Sequence, residues 1–467
     1  MPLILVLDQG THASRASIFT ENGLLVEQAK EDIRLSRISH EEIEQAPDEI
    51  LNSMVSTINR LDSHNLSHTK NCAIVTQRST VVAWHADTGK SLSPAISWQD
   101  RRAATCLHSY KSQAKNIKSI TGLPLSAHYG AGKILWLLEN SQSVRRALSE
   151  NKLLIGPLAS FLLFNLIKER PYLVDHCNAH RMMLLDLHTL DWSAELTRLM
   201  GIPGNLLPEC KPVQWHYGHL KICNLAVNVV SGDQNAALYC RGQPQRGDVL
   251  INLGSGAFLL SCVDQIIPST DLLCGIASSN KKGQEYLLEG TVNGAGSALG
   301  WAQEYFPVED LFSQLPTWLR QIKSPPVFIN TVGGLGSPWW KTATTPCFIQ
   351  HGKITAESRY VAIIESIVFL IQHNLDHFKK HIDLKTLTIS GGLSQLDHLC
   401  QRLSNLSSLP VTRFEDKEAT ARGAAWLAAG CPDSWTLNKQ DITFLPEPDP
   451  ALVKRFRIFS DEISRIK

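Results

Sequence analysis

A short pattern that occurs twice constrains the fold of this chain more than any other feature. Near the amino terminus, an uninterrupted apolar run at residues 3–7 is followed by the sequence DQGT at residues 8–11. A second apolar run, at residues 249–251, is followed by NLGS at residues 252–255. Such a run is typical of a strand buried on both faces, and the glycine after it permits a tight turn. The repetition predicts two related halves, each beginning with a strand, a polar turn and a returning strand.

The residues of these turns are suited to binding phosphate. Turn amides and hydroxyls bind phosphate oxygens, and Thr11, Ser14 and Arg15 add hydroxyl and guanidinium donors to the first turn. Asp8, at the end of the strand, carries the hard oxygen ligand that Mg²⁺ prefers. For either turn alone, an ordinary hairpin with polar turn residues is the alternative. Two such turns facing each other across a cleft would hold the phosphates of a nucleotide from both sides.

Length, charge and cysteine content narrow the class of protein. The 467 residues exceed one ordinary domain, so two are expected. The 45 basic and 44 acidic residues give a formal net charge of +1, which offers no electrostatic case for a nucleic acid or membrane partner. The eleven cysteines include no C-x-x-C pair and the amino terminus lacks a signal-peptide pattern, so we expect reduced thiols in a cytoplasmic protein. The apolar segment at residues 153–167 is too short to span a membrane and is expected to be a buried helix.

Polar residues also follow another predicted strand of the first half. The apolar residues 72–75 lead into TQRS at residues 76–79, at the carboxyl end of a strand, where α/β sheets place their ligands. Further on, Trp98 stands beside Gln99, Asp100 and two arginines. A single tryptophan is more often part of a core, but these polar neighbours favour a pocket wall.

A series of short motifs then follows in order, from residue 3 to about residue 430. They include DQGT at 8–11, TQR at 76–78, WQDRR at 98–102, GDQ at 232–234, GSG at 254–256, GLGSPWW at 334–340 and TARGAA at 420–425. In these motifs the sequence resembles the FGGY carbohydrate kinases, nearest to their glycerol kinase branch. The resemblance implies an α/β protein with the actin-like (ribonuclease H-like) ATPase fold, in which two domains flank a deep cleft. It implies ATP and Mg²⁺ as cofactors and a small carbohydrate as substrate.

The resemblance also implies a division of the chain and of its site residues. Residues 1–229 would form the carbohydrate-binding domain with the first phosphate turn, and residues 230–467 the ATP-binding domain, with a loop-rich tail from about residue 431. Asp233, in the GDQ motif, would be the general base, and Asp8 the acid that arranges Mg²⁺. The nucleotide contacts would come from Thr11, Ser14, Arg15, Gly254, Ser255, Gly296 and Gly392.

The carbohydrate pocket implied by the resemblance departs from the glycerol kinase pattern at two positions. The positions that match are Arg78, Trp98, Asp233, Gln234 and Phe258. Ser79 replaces a glutamate and His128 replaces a tyrosine. A carboxylate that accepts hydrogen bonds from substrate hydroxyls contributes about 1.5–3 kcal/mol per bond, and the smaller serine leaves room. We therefore expect a larger polyol or a ketose to fit better than glycerol, which stays possible.

Further departures leave an alternative function open. His12 and Ala13 replace hydroxyl residues in the first turn, and Gly300 and Leu396 stand where glycerol kinases place Gln and Asn near the adenosine. A non-catalytic relative that senses a sugar or a nucleotide is therefore the second hypothesis. Against it, Asp8 and Asp233 are both present. A homodimer is also possible.

Three histidines form a separate candidate site. His373, His377 and His381 recur at helical spacing, which could place three metal ligands on one stripe. They lie off the predicted apolar face, beside two lysines and with no matching cysteine or acid motif. We therefore expect a solvated helix face there.

Overall fold

The computed structural model describes residues 2–269, 271–341, 345–349, 354–414, 418–435 and 441–466. Its strands in the first half are β1 (Leu3–Gln9), β2 (Ala13–Thr20), β3 (Leu25–Asp32), β4 (Ser36–Arg37), β5 (Ile43–Gln45), β6 (Thr69–Thr76), β7 (Val81–His85), β8 (Ala95–Ile96), β9 (Leu153–Pro157), β10 (Leu173–Asp175), β11 (Leu185–Asp186), β12 (Asp191–Trp192), β13 (Glu209–Lys211), β14 (Gln214–His219) and β15 (Ala226–Gly232). The helices that accompany them are α1 (Pro47–Asn59), α2 (Ser63–Ser67), α3 (Ala114–Thr121), α4 (Gly130–Asn140), α5 (Gln142–Ser149), α6 (Leu158–Leu166), α7 (His176–His180), α8 (Ala194–Leu199) and α9 (Asp233–Ala237), with 3₁₀ helices at Arg102–Gln113 and Gly204–Leu206.

The second half repeats this mixture of elements. Its strands are β16 (Asp248–Leu253), β17 (Ala257–Val263), β18 (Leu273–Asn280), β19 (Gly283–Val292), β20 (Val327–Ile329), β21 (Cys347–Ile349), β22 (Thr386–Ser390), β23 (Val411–Arg413) and β24 (Ile442–Phe444). Its helices are α10 (Gly296–Tyr305), α11 (Leu311–Gln321), α12 (Ala356–Phe378), α13 (Asp397–Ser407), α14 (Ala419–Ala428) and α15 (Pro450–Ser464), with a 3₁₀ helix at Gly392–Gln395.

The two large sheets share one pairing scheme. The first has the order β14-β15-β6-β1-β2-β3, and the second has the order β18-β19-β17-β16-β22-β23-β24. In the first, β1 is antiparallel to β2 and parallel to β6, while β6 is parallel to β15. In the second, β16 is antiparallel to β17 and parallel to β22, while β22 is parallel to β23. This correspondence confirms the two related halves that the repeated turn pattern predicts.

The central strands are apolar because both of their faces are covered. Every residue of β1 is buried, and helix α14 lies against both β1 and β6. Helix α14 belongs to the second half by sequence, so its packing on the first sheet joins the two halves in one core. The strand ends that carry polar residues therefore meet where the halves adjoin.

The predicted boundary between the halves, at residues 229 and 230, lies within a strand. Strand β15 crosses that boundary and stays in the first sheet through Gly232, where it pairs with β6. Asp233 follows at once as the first residue of α9. The end of a central strand thus sets the position of Asp233.

The carboxyl-terminal tail is more regular than its prolines suggest. Within the tail, β24 adds an edge strand to the second sheet, and α15 buries Leu452, Phe459 and Ile463. Residues 436–440 of the predicted loop-rich tail lie outside the described residues.

The segment at residues 153–167 forms strand β9 and helix α6, whose residues are almost all buried. Across the described ranges, the structure has no helix that is both long and apolar enough to cross a membrane.

Candidate active site

One cavity brings together residues that the sequence places far apart. Its volume is about 180 Å³, and both halves of the chain line it. The predicted site residues around it are Thr11, Arg78, Trp98, His128, Asp233, Gln234, Gly254, Ser255 and Phe258. Gln77, Asn252 and Gly256 complete the lining. The repeated turns and the predicted carbohydrate residues thus share one small space.

A second cavity adjoins the first through Asn252, which lines both. Its volume is about 360 Å³, and it contains the predicted residues Asp8, Arg15 and Gly392. The other lining residues are Ala237, Ser390, Gly391, Ser394, Gln395, Phe414, Glu418, Ala419 and Thr420. Among the described residues other than its chain neighbours, no heavy atom lies within 4 Å of the position that a Cβ at Gly392 would take. The glycine-lined wall therefore leaves room for a ligand between the two acids and the end of β22.

Asp233 is held at the end of a strand beside a cation. Its Oδ1 lies 3.8 Å from Nε of Arg78 and accepts a hydrogen bond of 2.7 Å from the backbone N–H of Gln234. Burial raises the pKa of Asp233 above its ordinary value, against the lowering effect of Arg78. A carboxylate with a raised pKa is a better proton acceptor, which suits a general base.

Asp8 has the environment of a metal ligand. Burial raises its pKa to about 7, although Arg15 acts in the opposite direction. Arg15 lies 3.8 Å from Asp8, beyond hydrogen-bonding distance, and lies equally far from Glu418. A buried carboxylate so weakly compensated gains from a cation, and a hard oxygen donor at the edge of a cavity suits Mg²⁺. The residues present therefore fit the metal that the resemblance implies.

The first turn is connected to the carbohydrate residues through Trp98. The indole Nε1 donates a hydrogen bond of 2.9 Å to Oγ1 of Thr11. On its other side, the ring of Trp98 meets the ring of His128 edge-on, with centroids 5.8 Å apart. Burial, followed by nearby cations such as Arg101 and Lys133, lowers the pKa of His128 well below its ordinary value. The imidazole is therefore neutral at physiological pH and can exchange hydrogen bonds with a hydroxyl.

The second turn is supported by a glycine that lies outside both cavity linings. The N–H of Gly296 donates a hydrogen bond of 3.0 Å to the carbonyl of Gly254. A Cβ at Gly296 would lie 2.7 Å from that carbonyl oxygen, so a side chain would displace the turn. A direct nucleotide contact by Gly296 stays a prediction. In the structure, Gly296 supports the second turn through its hydrogen bond to Gly254.

Two predicted serines also lie outside the cavity linings. The Ser14 hydroxyl is buried and hydrogen bonds with Ser53 at 2.8 Å, so its role as a phosphate donor stays a prediction. Ser79 is buried with a φ of 65°, and its hydroxyl has no hydrogen-bond partner among the described residues. The buried Lys133 ammonium donates to the carbonyls of Ser79 and His128, at 2.8 and 2.6 Å. It thereby ties together the two positions that differ from glycerol kinases.

Sequence reasoning missed a buried acid beneath this pocket. The Glu289 carboxylate, on β19, accepts hydrogen bonds from Arg78 at 3.2 Å and from Arg181. Nothing around it in the sequence stands out, since Glu289 is a single acid between apolar residues and a glycine. The one signal that could have identified Glu289 is an acid within an otherwise apolar stretch of a strand. A buried acid requires cationic partners, so such an acid indicates a buried ion pair.

The histidine stripe is the solvated face that we expected only at His381, which is exposed beyond the end of α12, whereas His373 and His377 are partly buried. His373 lies among the rings of Trp339, Phe456 and Phe459, and hydrogen bonds with Ser460 at 3.0 Å. His377 lies 2.8 Å from Asp271. Within the described residues there is no group of three or more potential metal ligands.

The fold and the site together define an enzyme of the phosphotransferase class. Comparisons with known proteins specify it further: residues 3–233 match the N-terminal domain of the FGGY family of carbohydrate kinases, and residues 249–430 match its C-terminal domain. The chain therefore belongs to the FGGY family of carbohydrate kinases. It transfers a phosphoryl group from ATP, with Mg²⁺, to a hydroxyl of a carbohydrate.

Individual relatives cover nearly the whole chain. The glycerol kinase of Natranaerobius thermophilus is 30% identical over 469 residues, which are 96% of this chain and 94% of that protein. The glycerol kinase of Pseudothermotoga lettingae is 31% identical over 471 residues, with coverage of 96% and 94%.

Solved structures confirm the actin-like fold that the sequence predicts. Plasmodium falciparum glycerol kinase with ADP superposes with a TM-score of 0.89 at 24% identity, covering 100% of this chain and 98% of that one. Xylulose kinase from Rhodospirillum rubrum gives a TM-score of 0.84 at 20% identity, covering 99% and 98%.

Proposed function

We propose that this carbohydrate kinase phosphorylates a small polyol or a ketose in the smaller cavity, with Asp233 as the general base. The observation that carries the proposal is the position of Asp233. It lies in a cavity shared by both repeated turns and beside Arg78, at 3.8 Å. Phosphoryl transfer to a hydroxyl requires a proton acceptor at that hydroxyl, a cationic setting for the phosphates and exclusion of water.

The residues of the smaller cavity contribute different contacts to the substrate. Arg78 and Gln234 offer hydrogen-bond donors to substrate hydroxyls, while Trp98 and Phe258 supply apolar walls for the carbon chain. His128, neutral and packed against Trp98, serves as a further hydrogen-bond partner. Asp233 then takes the proton from the hydroxyl that attacks the phosphate.

The larger cavity is the proposed nucleotide site. Arg15 from the first turn and Gly392 after β22 line this cavity and would hold the phosphates and the adenosine. Thr11, Gly254 and Ser255 line the adjoining smaller cavity and would contact the phosphates from that side. Asp8 would hold Mg²⁺, which when bound neutralises charge on the phosphates. Asn252, between the cavities, keeps the amide of Gln234 in place through a hydrogen bond of 3.0 Å.

The choice among carbohydrates is the finer part of the proposal. The curated relatives named above are glycerol kinases, which keeps glycerol among the candidates. Ser79 and His128 replace the glutamate and tyrosine of the glycerol kinase pattern, which favours a longer polyol or a ketose. Lys133 donates to the backbone carbonyls of both positions, so the two lie close together, with His128 in the cavity lining and Ser79 outside it.

A substrate panel tests this proposal. ADP release is measured with ATP, Mg²⁺ and glycerol, tetritols, pentitols or pentuloses, each beside a reaction without carbohydrate and one with EDTA. We expect turnover of at least one of these compounds that EDTA abolishes. Turnover of none, with the carbohydrate or nucleotide still bound in a calorimeter, would favour the sensor hypothesis.

A homodimer and a cytoplasmic location stay predictions. Light scattering coupled to size-exclusion chromatography tests the first, and cell fractionation tests the second.

A further inference from the structure

We infer that Glu289 is a positioning residue that the second half of the chain contributes to the carbohydrate site. It holds Arg78 away from Asp233 and thereby keeps both the arginine and the base available to the substrate. This inference rests on the proposed function for its kinetic consequences. Its structural consequence, an energetic coupling between Glu289 and Asp233, is independent of turnover.

The contacts of Glu289 cross from one half of the chain to the other. Glu289 lies on β19, in the second sheet, and its side chain is 2% exposed. Its two hydrogen-bond donors, Arg78 and Arg181, follow β6 and α7 in the first half. The side chains of Arg78 and Arg181 are 7% and 3% exposed. A carboxylate of the second half thus compensates two buried cations of the first.

Arg78 lies between two carboxylates with different surroundings. Its Nη1 donates to Glu289 and to Oδ1 of Asn235, both at 3.2 Å, while its Nε faces Asp233 at 3.8 Å. Asp233 lines the small cavity, and Glu289 is absent from the described lining. The distances show that the hydrogen bonds of the guanidinium go to the buried side, which leaves Asp233 at ion-pair distance without a hydrogen bond from Arg78.

The charges explain why this arrangement matters. Burial alone would raise the pKa of Glu289, but Arg181 and Arg78 outweigh it and hold the pKa below its ordinary value, so the group stays ionised. A buried guanidinium that loses its carboxylate partner takes the nearest alternative, because an unpaired buried charge is costly. The nearest alternative for Arg78 is Asp233. A full hydrogen-bonded pair with Arg78 would occupy the oxygens that Asp233 needs for the substrate hydroxyl.

A second buried cluster of the same composition supplies a matched control. Glu365 is 1% exposed and accepts hydrogen bonds from Arg402 at 3.1 Å and from Arg455 at 2.7 Å. All three residues belong to the second half, and none lines the small or the larger cavity. Glu365→Gln therefore removes a comparable buried charge without touching the site.

The first measurement is a double-mutant cycle on thermal unfolding. It uses the full chain without ligands and the variants Glu289→Gln, Asp233→Asn and their combination. If Glu289 and Asp233 share Arg78, Asp233→Asn lowers the Tm more in the Glu289→Gln variant than in the wild type, because Asp233 is then the remaining carboxylate partner. The same cycle with Glu365→Gln is expected to be additive. Additive Tm changes in the Glu289 cycle would overturn the inference, whether or not a substrate is known.

The second measurement separates positioning from general damage to the fold. With the best carbohydrate of the panel, we expect Glu289→Gln to reduce kcat/KM for the carbohydrate by about 10- to 100-fold, the scale of a misplaced substrate-binding group. The KM for ATP should be unchanged, and Glu289→Asp, which keeps the charge, should recover part of the loss. Equal losses in Glu289→Gln and Glu365→Gln, or a parallel rise in the KM for ATP, would show a merely structural role. If Glu289→Gln does not fold, Glu289→Asp carries both measurements, with a smaller coupling expected.

Discussion

Ser79 has an unfavourable backbone conformation and an unfavourable side-chain environment. Its φ of 65° lies in the left-handed region, and its buried hydroxyl has no partner among the described residues. Each feature costs free energy: the left-handed conformation costs an L-residue about 1–2 kcal/mol, and an unsatisfied buried polar group about 1–3 kcal/mol. Strain of this kind concentrates at functional sites, and Ser79 directly follows Arg78.

We therefore predict that Ser79→Gly stabilises the protein by about 1 kcal/mol, since glycine accepts the left-handed conformation and removes the hydroxyl. Ser79→Ala, which removes only the hydroxyl, should give a smaller gain. The measurement is the free energy of unfolding in urea for both variants and the wild type. A loss of stability in Ser79→Gly would mean that the hydroxyl has a partner that stabilises the fold.

At the residue scale, short sequence motifs predicted several of the residues that line the smaller cavity. Asp233, Arg78 and Trp98 stand in such patterns, and the structure gathers them around one cavity. Ser14 stands in one too, yet its hydroxyl bonds to Ser53, because the alternation of the strand directs it to α1. Glu289 could not be predicted, since its partners are far away in sequence and only the fold brings them together.

At the scale of elements, the position of Asp233 depends on how closely two helices pack. Asp233 begins α9, and α14 packs on that helix so tightly that a Cβ at Gly423 would lie 1.8 Å from the carbonyl oxygen of Ala236. Thr420, also on α14, donates a hydrogen bond of 3.3 Å to the carbonyl of Asp233. A glycine in the middle of a helix usually costs stability, so close packing explains its presence here.

Gly423→Ala is accordingly expected to displace α9 from its position against α14. We predict a loss of about 1–3 kcal/mol in stability, as for other overpacked cores, together with a lower kcat because Asp233 moves with its helix. Gly300→Ala is the control for stability: on α10, no described heavy atom outside the surrounding helical turn lies within 4 Å of the added Cβ, so a gain of about 0.5–1 kcal/mol is expected. The measurements are the unfolding midpoint and kcat of both variants and the wild type. A neutral Gly423→Ala would contradict the packing.

Strands were predicted correctly where the apolar pattern is strong. They were missed where tertiary contacts determine whether a strand forms. The apolar runs before both turns are strands, as expected. Strand β24 was missed within the predicted loop-rich tail, because an edge strand depends on its pairing, here with β23, which the local sequence does not show. The boundary at residues 229 and 230 stays a prediction, and it lies within β15, which continues through Gly232.

For the whole molecule, one contact between the halves involves a buried titratable residue. His180, on α7, packs so closely on Gly275 of β18 that a Cβ there would lie 2.5 Å from the ring. Its Nε2 contacts the carbonyl oxygen of Thr121 at 2.9 Å. Burial first, and then Arg181, lower the pKa of His180 from 6.5 to about 3.

This shift predicts the direction of a pH effect. Between about pH 6.5 and 3 the unfolded chain binds a proton on His180 that the folded chain does not, so the contribution of His180 to stability is lost as the pH falls through that window. We expect His180→Gln, which keeps a donor for Thr121, to gain stability relative to the wild type as the pH falls from about 7 to about 5. Tm values across this range test it. A difference independent of pH would contradict the assignment.

The division of the site between the two halves predicts closure on ligands. Asp8 and Arg15 come from the first sheet and Gly391 and Gly392 from the second, yet they line one cavity. We expect the carbohydrate and a non-hydrolysable ATP analogue together to reduce the radius of gyration measured by X-ray scattering, because transfer to a hydroxyl requires that water be excluded. Each ligand alone should have a smaller effect. An unchanged radius at saturation of both would indicate a rigid site.

The central claim is that Asp233 accepts the proton of the attacking hydroxyl. Asp233→Asn preserves the shape of the side chain and removes the base, so phosphoryl transfer to the best carbohydrate of the panel should fall by about 10²-fold or more, the scale of a lost general base. Carbohydrate binding, measured by calorimetry on the same variant, should survive in part because Arg78, Trp98 and Gln234 remain. Near-normal turnover in Asp233→Asn would contradict the account.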